Sequence, residues 1–416
     1  MKQWKLIALA ALLVWLGRTQ DTPGRISYER LDEVVTQLSE ITGLPARHPV
    51  QYATISRDHL KQFLEQRIQE EVKPEEIRIE ELLLKKFGFA PQDFDLRKTT
   101  IDLYTEQAAA FYDFHRKKLF LLEGNSSMME EVALVHELAH ALADQHFRLQ
   151  RFLDRAGKND DGALARMAVM EGQATWLMAE FMMKKAGQSL LDDPGLVDLM
   201  GRMVAASTGQ FPVFDSVPPY VRESLVFPYN SGMKFQNAVL KAKGKAGFRA
   251  VFQNPPATTR EILHPEVYLH PEPAPPAKAP RLKREGPYRT LADGTVGEFD
   301  YAVLFNQYID EDAVRRISPG WRSARYRFLE HKKNGHTVLL QTSCWKDEET
   351  ARDFQARYRE VLQAKWKAFE IAEESPDRLA GTGDDGRFLL WREGARVMSV
   401  EGMSGPDERP RATKER

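Results

Sequence analysis

The stretch VHELAHALADQHF, residues 135–147, contains three histidines and a glutamate within thirteen positions. Two of the histidines flank the glutamate in an H-E-x-x-H pattern: His136, Glu137 and His140. On a helix, positions i and i+4 lie one turn apart on one face, so both imidazoles can reach one metal ion. Zinc accepts such ligands, and Glu137, turned by about 100°, would lie beside the ion and take a proton from water. The pattern predicts a catalytic zinc site; the alternative is a helix with two histidines on a solvated face.

A catalytic zinc site has three protein ligands and one open position, so a third ligand must be found. His146 has the spacing of the metzincin pattern H-E-x-x-H-x-x-G-x-x-H, but Ala143 replaces the helix-breaking glycine. Because ALADQ is good helix-forming sequence, a continuing helix would turn His146 by about 240° from His140. We therefore expect His146 to point away from the metal.

The better candidate for the third ligand is Glu171, in MAVMEGQATWLM. Arg166, Gln173 and Glu180 recur every seven residues and define the polar stripe of that predicted helix. Glu171 lies about 200° from Gln173, on the opposite, apolar face. A carboxylate there is costly unless it is paired, and a metal ion is one such partner. Two alternatives stay open: a glutamate at the rim of a helix interface, paired with an arginine, and His146 as the ligand.

The elements that must position these residues can be predicted from periodicity. Three stretches within residues 25–100 have apolar residues at three- and four-residue spacing and predict helices: ISYERLDEVVTQLSEITG, DHLKQFLEQRIQEEV and EEIRIEELLLKKFGF. AFYD and KLFLLE flank a polar FHRK turn and predict a hairpin. The run KLFLLE (118–123) is the candidate sheet edge at which an extended peptide could pair by its backbone; a covered strand is the alternative.

Two long helices should carry the metal ligands. Ser127 and Glu130 fit a capping box, so the H-E-x-x-H stretch should open a helix near Met128. The second helix should follow the Asn-Asp-Asp-Gly cluster at residues 159–162. Gly172, next to Glu171, is small, so this helix could approach the first one closely.

The C-terminal third follows a different pattern. HPEPAPPAKAP (270–280) is proline-rich and predicts a semi-rigid linker. Asn334-Gly335 and Glu393-Gly394 each separate two alternating runs and predict hairpins. The stretch DEETARDFQARYREVLQAKW predicts a helix with one apolar face, formed by Ala351, Phe354, Tyr358, Val361 and Leu362. Together they suggest a small antiparallel sheet covered by one helix.

The N-terminus predicts export. Lys2 and Lys5 precede an apolar run, Leu6 to Gly17, of roughly 18 Å as a helix, which is shorter than the roughly 30 Å hydrocarbon core of a membrane. Such a run fits a secretory signal, but no A-x-A pattern lies near Gly17, so an uncleaved anchor stays open, as does a buried core helix. The single cysteine, Cys344, excludes an intramolecular disulfide and a cysteine-based metal site.

Composition argues against nucleic acid as a partner, because 59 Lys and Arg nearly balance 60 Asp and Glu. Length and the 42% of apolar residues are those of a globular protein with two or three domains. The sequence sets no oligomeric state.

H-E-x-x-H followed some thirty residues later by E-G-x-A-T resembles the gluzincin zinc metallopeptidases. The strings VHELAHALADQHF, VMEGQAT and ILHPEVY resemble a group of exported bacterial proteins of that type, over roughly residues 85–270. The resemblance implies zinc on His136, His140 and Glu171, with Glu137 as general base and acid. It also implies a strand edge beside the active-site helix and a Tyr or His that stabilises the oxyanion. Tyr229 and His264 are the candidates for this last role.

We therefore predict an α+β protein: a mainly helical, zincin-like metallopeptidase domain with a short antiparallel strand pair beside the active-site helix, and a small C-terminal α+β module. The predicted function is zinc-dependent hydrolysis of a peptide or protein substrate outside the cytoplasm, with contact to a membrane only through an N-terminal anchor. The alternative is a catalytically inactive zinc-binding scaffold of the cell envelope. The predicted boundaries, in chain order, are a signal peptide or anchor (1–19), the peptidase domain (20–270, with 25–100 as its helical N-terminal part), a Pro-rich linker (271–287), the C-terminal module (288–405) and a disordered tail (406–416).

Overall fold

The computed structural model describes residues 28–123, 127–193, 195–200, 211–405 and 410. Over these residues the chain is α+β, with a helical part that contains a three-stranded sheet, followed by a seven-stranded antiparallel sheet. The predicted signal peptide or anchor lies outside the described residues, as does the tail except for Pro410. Among the residues that the structure describes, no helix combines the length and apolar character that a membrane span needs.

The three helices predicted within residues 25–100 are present, and a fourth follows them. Their bounds are α1 (Tyr28–Thr42), α2 (Arg57–Glu71), α3 (Pro74–Phe87) and α4 (Leu96–Gln107). The prediction of helix alone is wrong for the stretch QYATI, which forms strand β1 (Gln51–Ile55). In the described part of the chain it pairs with a strand that begins at Lys118, nearly seventy residues later, so no local pattern revealed it.

The predicted hairpin is present as β2 (Ala110–Asp113) and β3 (Lys118–Leu122), which pair antiparallel. The prediction that KLFLLE forms the sheet edge is wrong, because β1 pairs in parallel with β3 on its other side. The order of the sheet is β1-β3-β2, so β3 is central and β2 is an edge. The hairpin was readable from local alternation, whereas the position of the edge depended on the distant strand β1.

The helices that follow enclose the predicted site. They are α5 (Ser127–Phe147), α6 (Leu149–Asp154), α7 (Asp160–Lys185), α8 (Pro212–Ser216), α9 (Pro219–Lys243), α10 (Ala246–Gln253), α11 (Thr259–Leu263) and α12 (Pro265–Leu269). Helix α7 begins at Asp160, inside the Asn-Asp-Asp-Gly cluster and not after it as predicted, because the Asn159 side chain accepts a hydrogen bond from Gly162 N and caps the first turn. Helix α5 begins at Ser127, whose side chain lies outside the described part, so the capping box stays a prediction.

The C-terminal sheet is larger than predicted. Its strands are β4 (Tyr288–Thr295), β5 (Trp321–His331), β6 (Thr337–Trp345), β7 (Phe369–Ser375), β8 (Arg378–Gly383), β9 (Gly386–Glu393) and β10 (Arg396–Met403), in the order β4-β5-β6-β10-β9-β8-β7. Its helices are α13 (Glu298–Tyr308), α14 (Glu311–Ile317) and α15 (Glu348–Lys365). Both predicted hairpins are present, with Gly335 and Gly394 at positive φ in their turns.

The predicted apolar face of helix α15 is buried, as expected. The expectation of one covering helix is wrong, because α13 packs beside α15, with the rings of Phe305 and Phe354 5.5 Å apart.

The proline-rich segment packs against the other face of this sheet. Leu282 is fully buried in an apolar cluster with Leu340 and Val400. Four residues before Leu282, the carbonyl of Lys278 accepts a hydrogen bond from Thr342 Oγ1 at 3.0 Å. The sequence predicted only a linker here, because proline content does not reveal that a segment packs without forming an element of its own.

Carboxylates are buried where helix α7 meets the C-terminal elements. Asp161 Oδ1 accepts hydrogen bonds from Thr259 N and Oγ1, at 3.0 and 2.6 Å, while its Oδ2 is buried without a hydrogen-bond partner. Asp300 accepts from Tyr220 OH at 2.7 Å. Burial, reinforced by the charge of Asp300, raises the pKa of Asp161 to about 8, and burial raises the pKa of Asp300 to about 6.

Asp161→Asn should reduce the loss of stability of the protein at alkaline pH. Folded Asp161 keeps its proton up to about pH 8, whereas an unfolded aspartate loses it near pH 4, so its contribution to stability decreases as pH rises through that window. Asparagine keeps the two accepted hydrogen bonds without the charge. Between pH 5.5 and 8.5, we expect the unfolding temperature of wild type to decrease by a few degrees more than that of the variant.

Thermal unfolding of the exposed control Asp154→Asn at the two pH values should match wild type. An equal pH dependence in Asp161→Asn and wild type would show that Asp161 is ionised in the folded protein.

Candidate metal centre

Helix α5 carries the H-E-x-x-H residues on a face that the fold buries completely. His136, Glu137 and His140 are each at most 2% exposed, and so is Glu171 on helix α7. The alternative of two histidines on a solvated face is therefore wrong for this chain.

The distances between the two histidines and Glu171 are short and nearly equal. His136 Nε2 and His140 Nε2 lie 3.1 Å apart, and Glu171 Oε2 lies 3.2 Å from each of them. Four ligand atoms around a tetrahedral zinc ion, each about 2.0–2.1 Å from it, lie about 3.3–3.4 Å apart. The three atoms thus have nearly the spacing of one face of such a tetrahedron.

Glu137 is also near these atoms but is less closely placed. One atom each from His136, Glu137 and His140 lies within 4.8 Å of the others, which makes Glu137 a possible ligand by distance alone. However, Glu137 Oε1 is 4.0 Å from His136 Nε2, whereas Glu171 Oε2 is 3.2 Å away from it. The distances therefore favour Glu171 as the third ligand and leave Glu137 beside the centre.

Glu137 is held by the edge strand β2. Its Oε2 accepts a hydrogen bond from the backbone N–H of Tyr112 at 2.7 Å, while its Oε1 is buried without a hydrogen-bond partner. Burial, with the nearby charge of Glu171, raises the pKa of Glu137 well above its usual range. A carboxyl group with a raised pKa and one free oxygen is suited to accept and return a proton.

Two carboxyl groups and two imidazoles share the buried cluster. Burial lowers the pKa of His136, which keeps this ring neutral near pH 7. Burial alone would raise the pKa of Glu171, but electrostatic attraction to His140 and the hydrogen bonds of both histidines bring it down to about 2. Within the described residues, no lysine or arginine forms an ion pair with Glu137 or Glu171.

The donor set fits zinc. Two imidazole nitrogens and a carboxylate are ligand types that zinc takes at catalytic sites. Glu171 Oε1 and Glu137 Oε1 are buried without hydrogen-bond partners, and such orphaned carboxylate oxygens are costly without a cation beside them. An ion at the centre of the cluster would satisfy both the charge and the geometry.

The contact between two helices positions Glu171. A Cβ added to Gly172 would lie 2.1 Å from the backbone carbon of Gly232 on helix α9, so the two backbones touch. The expectation that Gly172 allows a close approach is confirmed, but the partner is α9 and not the predicted α5. The same crossing positions Tyr229, one turn before Gly232, and its ring stacks on that of His136 at 5.9 Å.

The structure places the remaining predicted residues away from the centre. Helix α5 continues to Phe147, as expected, and His146 Nε2 lies 2.8 Å from the carbonyl oxygen of Pro45. His264 Nε2 lies 2.8 Å from Glu298 Oε1, and within the described residues no hydrogen bond or ring contact joins it to the cluster. His264 therefore has no geometric support as a site residue.

Sequence analysis did not identify three contributors to the site. The backbone N–H of Tyr112 carries no sequence signal, because any residue except proline supplies it. The ring of Phe114, at the hairpin tip, lies edge-on to His140 at 6.2 Å. The buried Tyr104 lies near Glu171, since burial and the charge of Glu171 both raise its pKa. The hairpin prediction could have suggested Phe114, but Tyr104 lies on a helix with no separate signal.

Comparison with known proteins gives two partial matches. The family model Peptidase_M78, described as the IrrE N-terminal-like domain, matches residues 91–192. This span contains the H-E-x-x-H residues and Glu171, and it supports similarity to a zinc-metallopeptidase-like family. A domain of unknown function, DUF8575, matches residues 287–410. No curated protein and no solved structure matches the chain.

Gly232→Ala should destabilise the protein and weaken the metal centre. The new Cβ would lie 2.1 Å from the carbonyl oxygen of Ala168, so helices α7 and α9 must separate. Such overpacking costs roughly 1–3 kcal/mol, which outweighs the gain of about 1 kcal/mol in helix propensity. Thermal unfolding should show the loss of stability, and the zinc affinity should decrease because Glu171 moves with α7.

Gly286→Ala is the matched control, since a Cβ there meets nothing within 4 Å. If Gly232→Ala unfolded at the wild-type temperature, the contact between the helices would not be as close as described.

Proposed function

We propose that this protein is a zinc-dependent metallopeptidase, with His136, His140 and Glu171 as metal ligands and Glu137 as general base. The observation that carries the proposal is the triangle of Nε2, Nε2 and Oε2 atoms with edges of 3.1–3.2 Å, buried in the core. The match to Peptidase_M78 over residues 91–192 supports it independently. The narrower gluzincin assignment depends on the E-G-x-A-T string and is part of the proposal.

The residues of the chain divide the chemistry between them. A bound zinc ion would polarise the scissile carbonyl and activate a water molecule. Glu137 Oε1, the oxygen without a partner, takes a proton from the attacking water and returns it to the leaving amine. The Tyr112 N–H keeps Oε2 in place, so the carboxyl group presents the same oxygen in both steps. Tyr229, stacked on His136, is the proposed stabiliser of the oxyanion.

The substrate and the place of action are also proposals. The proposed substrate is a peptide or protein, because the centre has the ligand types of a catalytic zinc site and residues 91–192 match a peptidase family. Export depends on the apolar run of residues 6–17 and the two lysines before it.

One observation favours the second candidate function, a zinc-binding scaffold without activity. All four side chains at the centre are at most 2% exposed, so the described conformation leaves no access for a peptide. Catalysis therefore requires a displacement of the groups packed on the centre, among which are Phe114 and Tyr229. A scaffold requires no such opening, and it has no need for a general base at position 137.

The zinc content of two variants should show whether Glu171 or His146 is the third ligand. We expect one zinc per chain in wild type and in His146→Ala, and a loss of zinc in Glu171→Gln, because an amide is a much weaker ligand than a carboxylate. Elemental analysis of the purified, folded proteins gives the ratio directly. Zinc loss in His146→Ala with retention in Glu171→Gln would replace Glu171 by His146, and wild type without zinc would contradict the proposal.

Glu137→Gln should retain zinc and lose hydrolysis. Removing a general base lowers the rate by about 10²–10⁴-fold, while the three ligands are untouched. Cleavage of casein and of a peptide library measures the loss. The exposed Glu29→Gln on helix α1 is the control and should cleave at the wild-type rate. Zinc-loaded wild type without peptide cleavage would favour the scaffold function.

A further inference from the structure

Asp144 joins three elements around the centre. It lies on helix α5, one turn after His140, and is buried. Its Oδ2 accepts hydrogen bonds from Lys117 Nζ at 2.6 Å and from Tyr112 OH at 3.3 Å. Its Oδ1 accepts from Leu149 N at 2.8 Å, at the start of α6. The sequence places Asp144 where it could hold a ligand histidine, but the structure shows it holding the hairpin.

We propose that Asp144 is a positioning residue for Glu137, acting through strand β2. This inference rests on the proposed function, in which Glu137 is the general base. Asp144 and Lys117 fasten the β2–β3 hairpin to helix α5, and the fastened strand directs the Tyr112 N–H at Glu137 Oε2. The proposed connection thus runs from an ion pair with the buried Asp144 carboxylate to a backbone hydrogen bond of 2.7 Å.

The register of the hairpin explains why β2 must be held from outside the sheet. Leu122 N donates to Ala109 O, so the backbone groups of the odd-numbered residues of β2 face β3. The N–H of Tyr112 therefore points out of the sheet edge, where Glu137 accepts it. Strand β2 has four residues and forms strand-to-strand hydrogen bonds only on the side of β3. The contacts with helix α5 restrain its other side.

Hydrogen bonds close the hairpin tip, so a displacement of the tip would also displace strand β2. Asp113 Oδ1 accepts hydrogen bonds from His115 N and Arg116 N, at 2.8 and 3.0 Å, and closes the turn. Lys117 follows in the left-handed region, with φ of 52°. In this conformation its side chain reaches Asp144, and Phe114 reaches His140 from the same tip. Asp113 Oδ2 also pairs with Arg67 on helix α2 at 2.5 Å, so a loss of the Lys117–Asp144 pair would release only the side of the tip that faces α5 and shift Tyr112 relative to Glu137.

The Lys117–Asp144 ion pair should stabilise the attachment of the hairpin to helix α5. The Asp144 side chain is buried, whereas Lys117 is 55% exposed, so removing Lys117 leaves a buried carboxylate with two weaker donors. A buried carboxylate that loses its charged partner is unfavourable, which biases the tip toward conformations in which water reaches Asp144. An exposed pair of the same two residue types, Lys98 and Asp102 on helix α4, also has a 2.6 Å contact and provides the comparison.

The experiment compares Asp144→Asn, Lys117→Met and Lys117→Arg with Asp102→Asn as the matched control. The first readout is hydrogen exchange of the Tyr112 amide in protein labelled with ¹⁵N-tyrosine, which requires no activity. We expect the exchange rate of Tyr112 to rise at least about tenfold in Asp144→Asn and Lys117→Met, and to stay at the wild-type value in Lys117→Arg and in the control.

Zinc content and steady-state kinetics are the second readout. We expect zinc stoichiometry to stay at the wild-type value, and kcat to decrease by about 10–100-fold in Asp144→Asn and Lys117→Met with KM changed far less. Lys117→Arg should restore most of kcat, because arginine supplies a charged donor to the same carboxylate.

An unchanged Tyr112 exchange rate in Asp144→Asn would overturn the inference. A rise in exchange at all tyrosine amides together would also overturn it, because that result indicates general loosening of the fold. If wild type cleaves no peptide, the proposed function fails, but the exchange data still decide whether Asp144 and Lys117 hold the strand.

Discussion

The structure depends on the burial of two carboxylates, Glu137 and Glu171, among apolar helices. Ionised groups in such surroundings are stable only beside a positive charge, and the described side chains nearby supply two imidazoles and no lysine or arginine ion pair. A divalent cation at the centre would satisfy this constraint. The burial that makes the site costly without a cation also strengthens every electrostatic interaction within it.

Three segments far apart in the chain fix the geometry of this centre. Helix α5 supplies the two histidines, helix α7 supplies Glu171, and strand β2 holds Glu137 by a backbone N–H. The backbone contact between Gly172 and Gly232 sets the position of α7, and the Asp144–Lys117 pair sets that of β2. The distances among the His136, His140 and Glu171 atoms therefore depend on packing between elements. A glycine contact positions helix α7, and an ion pair positions strand β2.

The chain contains a second group of buried carboxyl groups. There, hydrogen bonds and protonation offset the free-energy cost of burial without a cation. Asp161 and Asp300 lie where helix α7 meets the C-terminal elements, and they accept hydrogen bonds from threonine and tyrosine hydroxyls. Burial raises the pKa of Asp161 to about 8, so this group is protonated at neutral pH and requires no cation. The helical part is thus connected to the C-terminal elements through a protonated Asp161, and this contact weakens at alkaline pH.

The sequence by itself determined the local features. The H-E-x-x-H spacing placed two imidazoles on one helical face, the helix propensity of ALADQ turned His146 away, and the apolar surroundings of Glu171 identified it as a ligand candidate. The Asn-Gly and Glu-Gly hairpins and the apolar face of helix α15 were equally local. Each follows from the period of a helix or strand, or from turn chemistry, within fewer than twenty residues.

Only the tertiary structure decided which strand forms the sheet edge, which helix touches Gly172, and where His264 lies. Strand β1 covers β3, Gly232 meets Gly172, and Glu298 binds His264, and all three partners lie at least thirty residues away in the chain. The hydrogen bond from Tyr112 N to Glu137 likewise has no signal in the sequence, because it comes from the backbone. Contacts of this kind depend on how elements pack, which local periodicity does not specify.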